Sequence, residues 1–140
     1  MMKYNLSILK NRKVRFILNI KEKEIKINGI IKNSKQTKNS IMFVMEDKKL
    51  EIKLEVFNYM LIRYDKENDV VEIIQDIKQE CLTSFLGFTM YDTYGFPIEM
   101  TNEILEEDGL NKKIDLEGFE ILKQLQKDVS KNTFKNKNAF

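Results

Sequence analysis

Apolar and polar residues alternate along the first half of the chain. Val14, Phe16, Leu18 and Ile20 fall two apart in KVRFILNI, and Ile25 and Ile27 alternate with charges in KEIKIN. Ile52 and Leu54 alternate with Glu51, Lys53 and Glu55. A period of two marks half-buried antiparallel strands, because successive side chains point to opposite faces. SIMFVMED and DVVEII read as more fully buried strands. Turn signals separate these runs at Asn28-Gly29, in KNSKQTKNS, at Asp47-Lys48-Lys49 and over 65–69. Asn28-Gly29 reads as a hairpin turn or a bulge, since glycine accepts positive φ. The pattern predicts five or six strands over 12–75, forming a small antiparallel sheet or barrel. VFNYMLIRY is a short apolar run that periodicity does not assign.

Near Asp76 the period lengthens. Ile77, Cys81, Leu82, Phe85 and Leu86 share one helical face, with Gly87 as the predicted stop. Met100, Ile104 and Leu105 form a second short face closed by Asp108-Gly109. Asp115 is placed to cap a third helix that buries Phe119, Leu122 and Leu125 or Val129. The polar tail KNTFKNKNAF is expected to fray. The fold class predicted is α+β, with a β-rich part over 1–75 and a helical part over 76–140.

Composition narrows the chemistry. At 140 residues, 42% hydrophobic and 33% charged, the chain has material for a core. No apolar run approaches membrane-spanning length, and MMKYNLSILKNRK holds no stretch of signal-peptide length. With Cys81 as the only cysteine, a cytoplasmic setting is expected. Histidine is absent, which removes the commonest general base and metal ligand. There is no Gly-rich phosphate loop and no nucleophile motif, so neither catalysis nor a cofactor is expected. Cys81 reads as packed rather than reactive.

Charge is divided between the halves. Residues 1–75 carry 16 Lys and Arg against 10 Asp and Glu, a net of +6. Residues 76–140 carry 8 against 12, a net of −4. A basic half attracts phosphates or an acidic protein surface; it also serves as a lysine-rich solubilising surface.

The most specific segment is Met90-Tyr91-Asp92-Thr93-Tyr94-Gly95-Phe96-Pro97-Ile98-Glu99-Met100-Thr101, followed by EILEEDGLNKKIDLEGFEILKQLQ. It resembles a hallmark of alanyl-tRNA synthetases: an aliphatic residue, YDTYGFP, a variable residue, an acid, Leu and Thr. A short helix, a turn and an acidic-Gly-Phe-Glu helix start follow in that family. The resemblance covers about residues 88–128, the end of the family's tRNA-recognition region. Pro97 suits a first helical position, and Gly95 frees the backbone at a turn. Tyr94, Phe96 and Pro97 are expected to lock that turn into the core.

The resemblance also implies a role for Asp92. In the family an aspartate of this region approaches the wobble pair that identifies the tRNA(Ala) acceptor stem. A G·U pair leaves the guanine 2-amino group free in the minor groove, and an ionised carboxylate only accepts hydrogen bonds. Glu99 is the alternative reader, and capping of a turn or helix is the structural alternative for Asp92. Arg12, Lys13 and Arg15 are the candidates for phosphate contacts, with Lys21, Lys23 and Lys26 behind them. The family's catalytic and editing domains have no counterpart here. Where the family usually has Gln and several arginines, this chain has Gln126-Lys127 and then Asp128, Val129 and Ser130.

The expected function is a non-catalytic RNA-binding module directed at RNA, with the tRNA(Ala) acceptor stem as the implied ligand. The alternative is a protein-interaction or inhibitor protein, of the kind carried by mobile elements or phages, that reuses the synthetase fragment as scaffold.

Overall fold

A computed structural model describes residues 2–138, with side chains through Val129. Six strands form one sheet: β1 (Lys13–Ile20), β2 (Lys23–Gln36), β3 (Ser40–Met45), β4 (Lys49–Lys53), β5 (Met60–Asp65) and β6 (Val70–Gln75). Their order is β4-β3-β2-β1-β6-β5, leaving β4 and β5 at the two ends. A one-turn helix, α1 (Leu54–Phe57), carries the chain from β4 to β5. VFNYMLIRY is therefore split between the end of α1 and β5. All neighbouring strands are antiparallel except β1 and β6, which pair in parallel with Val14 opposite Val71 and Phe16 opposite Ile73.

The sharp reversal after β1 is not at Asn28-Gly29. Lys21 and Glu22 make it, with φ of 51° and 65°, the double positive φ of a tight hairpin turn. Asn28 and Gly29 lie inside β2, opposite Arg15 and Val14. A Cβ at position 29 would meet the Met45 side chain, whose thioether would have to move aside. The register irregularity lies further on, between Ile31 and Asn33, where β2 leaves β1 and takes up β3. Half of the polar run KNSKQTKNS thus continues the strand, and the turn is confined to 37–39.

Of the alternating apolar residues, Val14, Phe16, Leu18, Ile52 and Leu54 are buried, while Ile20 and Ile25, beside the β1–β2 turn, are exposed. Phe16, Phe43, Phe57 and Phe85 make a chain of ring contacts with centroid separations of 4.9, 6.1 and 5.7 Å. Phe88, Phe119, Leu122 and Leu125 complete the same core from the helical part. The core is continuous across residue 75.

The helical part departs from the predicted spans. Asp76 folds back on itself, its carboxylate accepting from the backbone N–H groups of Lys78 and Glu80. That local bonding competes with helix, and Ile77 is left 66% exposed. Cys81–Leu82 form β7, paired in parallel with β8 (Lys113–Ile114). Thr83 then caps α2 (Ser84–Tyr94), its hydroxyl accepting from the Phe85 N–H at 3.3 Å. Gly87 is no stop: it is buried mid-helix against Ile98 and Ile114. The stop is Gly95, at φ 74°, and the Phe96 N–H reaches back to the Met90 carbonyl at 2.9 Å. The YDTY residues are consequently the last turn of α2.

Pro97 sits one place earlier than expected, as the N-cap of α3 (Ile98–Glu107). α4 (Leu116–Asn138) starts at Asp115 and buries Phe119, Leu122 and Leu125, while Val129 is exposed. The side chains of 130–140, and with them the expected fraying of KNTFKNKNAF, lie outside the described residues. Among the described residues no helix is long and apolar enough to cross a membrane.

Candidate nucleic-acid interface

Asp92 projects from the last turn of α2 towards the N-terminal segment and α4. Its Oδ2 accepts from the Asn5 side-chain amide at 2.7 Å, and its Oδ1 accepts from the Gln126 amide. The Asn5 backbone N–H donates to Thr89 Oγ1 at 2.8 Å, so the segment is held at two points on α2. A carboxylate offers about four lone-pair sites. Two are used, and the exposed group retains acceptor capacity.

Asp92 lines a concavity of about 610 Å³ together with Lys10, Arg12, Lys13 and Gln126. Arg12 is half-buried; its Nε donates to the Ile8 carbonyl at 3.1 Å and its guanidinium lies 3.9 Å from Asp69. Lys13 is exposed at the start of β1. Arg15 does not join them. It bonds Glu72 at 3.1 Å on β6 and Asn28 at 3.1 Å on β2, so its charge is engaged across the sheet. Lys21 stands at the far end of β1, roughly 25 Å from Lys13 at the usual strand rise. Glu99 is exposed on the first turn of α3 and does not line the concavity.

Asn5 and Lys10 were not expected at the site, since the irregular pattern of MMKYNLSILK carries no periodic signal. The aromatic residues of the motif also differ from expectation. Tyr94, the last residue of α2, is 58% exposed, and Phe96, just past the Gly95 stop, is 37% exposed. Tyr91 instead packs edge-on against Phe119, with centroids 5.7 Å apart. Burial raises the Cys81 thiol pKa, which disfavours the reactive thiolate. Among the described residues no group of three or more Asp, Glu, Cys or His side chains converges to hold a metal ion.

The chain belongs to the class II (A) tRNA synthetases, whose family model matches residues 50–140. Within that class its relatives are alanine–tRNA ligases. It is 43% identical to the ligase of Nostoc punctiforme over 82 residues, covering 56% of this chain and 9% of the relative. It is 37% identical to that of Enterococcus faecalis over 65 residues, covering 46% and 7%. The chain therefore carries an alanyl-tRNA synthetase-like fragment and spans less than a tenth of these relatives' length. The family match begins at β4, upstream of the motif, and takes in α1, β5 and β6. No solved structure matches the chain.

Proposed function

We propose that this chain is a non-catalytic RNA-binding module that recognises the acceptor stem of tRNA, tRNA(Ala) above others, in the cytoplasm. The observation that carries this reading is the shared concavity of Asp92, Arg12 and Lys13. An acceptor-only carboxylate flanked by cations suits a minor-groove amino group between phosphates. The free lone pairs of Asp92 take the guanine 2-amino group of a G·U pair. Arg12 and Lys13, helped by Lys10, hold the backbone. Arg15 positions β1 through Glu72 and plays the smaller part.

Filter binding of tRNA(Ala) and bulk tRNA at two salt concentrations tests the reading. Replacing Arg12 and Lys13 by alanine is expected to weaken binding to every structured RNA and to reduce the salt slope by about 2. Asp92→Asn is expected to cost about 1–3 kcal/mol of discrimination between G·U and G·C stems. Discrimination that survives Asp92→Asn in a variant of normal melting temperature assigns the aspartate to the Asn5–Gln126 tie alone.

A second reading has its own observation. α3 exposes Met100 and Ile104, each at 42%, beside Phe96 and between Glu99 and Glu103. An apolar strip with an acidic rim repels phosphate and suits a protein partner. Absence of RNA binding at low salt would favour this protein-interaction role.

A further inference from the structure

The N-terminal segment forms a ridge with a concavity on each side. Ser7 and Lys10 line both. The first is the Asp92 concavity. The second, of about 450 Å³, runs between Lys3, Tyr4 and Asn5 on one side and Asn33 and Ser34 of β2 on the other, with Tyr94 at its margin. That volume lies within the roughly 300–1,000 Å³ of pockets that seat small molecules. Its lining includes two lysines and no carboxylate. The acidic α3 surface nearby has the opposite character.

Each component has a use in holding an unpaired nucleotide. The exposed ring of Tyr94 offers a face on which a base stacks. The ammonium groups of Lys3 and Lys10 meet phosphates. The amide of Asn33 and hydroxyl of Ser34 are within the same groove to bond base edges or a ribose 2′-hydroxyl. We propose that this groove binds the unpaired nucleotides that continue from a duplex seated on Asp92, with a base stacked on Tyr94. The inference rests on the RNA reading above and extends it from the stem to the single-stranded end. Lys10, common to both concavities, contacts the phosphate at the junction.

Two hairpins separate the claims: a blunt G·U hairpin, and the same hairpin with four unpaired 3′ nucleotides carrying 2-aminopurine. The overhang is expected to tighten binding to the wild-type protein about tenfold and to quench 2-aminopurine fluorescence. Tyr94→Ala should remove both effects and leave blunt-hairpin affinity unchanged. Tyr94→Phe should keep both, since the ring face is retained. Asn33→Asp, which places a carboxylate in the groove, should also reduce the gain. Blunt-hairpin binding with no gain from the overhang, or a gain that persists in Tyr94→Ala, overturns the groove assignment and leaves the stem reading standing. Failure to bind either hairpin overturns both.

Discussion

Tyr4 seals the N-terminal segment against the sheet. Its ring packs 5.3 Å from that of Phe57, and its hydroxyl donates to Asn58 Oδ1 at 2.6 Å. Burial pushes the phenol up to about 12. In the unfolded chain the same group titrates near 10. The neutral phenol is thus favoured by folding. Its contribution is present below pH 10 and is lost as pH rises from about 10 to about 12. Two units correspond to about 2–3 kcal/mol. Stability of the wild type, followed by urea melts, should therefore fall more steeply over that window than stability of Tyr4→Phe. The variant is expected to be about 1 kcal/mol less stable near neutrality, having lost one hydrogen bond. Equal slopes would show that Tyr4 is not sealed in. None of this was legible in the sequence, because Tyr4 finds its partners at 36, 57 and 58 and Asn5 reaches Thr89 and Asp92, and local pattern does not extend that far. Asp115, whose partner Gly118 is three residues away, was legible for the same physical reason.

Among the elements, the joint between β5 and α4 carries the most. Asp115 accepts from the Gly118 N–H at 3.2 Å as a helix cap, and from the Ile62 N–H at 3.2 Å on the strand. Arg63 donates to both its oxygens, at 3.0 and 2.8 Å, and also bonds Glu117. One carboxylate therefore satisfies a helix start and a strand at the sheet's end together. Asp115→Ala is expected to cost about 2–4 kcal/mol in urea unfolding, from the lost cap and the broken half-buried pair. Asp115→Asn should recover part of that through its side-chain oxygen. A cost below about 1 kcal/mol in the alanine variant would mean that Glu117 and water replace Asp115. The strands were legible by alternation, since Val14, Phe16 and Leu18 survive as the inner face of β1 and Ile52 as that of β4. The start of α2 was not. The apolar spacing of Ile77 to Leu86 imitates a helical face, and the hydrogen bonds of Asp76 and Thr83 override it.

At the scale of the whole molecule, the sequence divides by charge and period, whereas the core does not divide. Phe57, Met60 and Ile62 on one side and Phe85, Phe119 and Leu122 on the other belong to one cluster. A single cooperative urea transition is expected, with far-UV circular dichroism and tyrosine fluorescence changing together. Two separated transitions would show that 1–75 and 76–140 are independent units. The charge division was legible from composition, and it leaves cations beside Asp92 and carboxylates along α3. Strand partners were not legible, because alternation identifies a face and is silent on which strand lies alongside.

The parallel contact of β1 with β6 also governs how the molecule is made. Val14 meets Val71 only after the chain between them has been synthesised, and that chain must close as a long loop, which costs entropy before any pairing repays it. Parallel pairing of this sequence separation is slow to nucleate. The β1–β2 hairpin, with its lysines and its exposed Ile20 and Ile25, is synthesised before β6, so until β6 arrives the β1 edge has no partner there. Its lysines give the hairpin a net positive charge, and like charge opposes pairing between the open edges of two such hairpins.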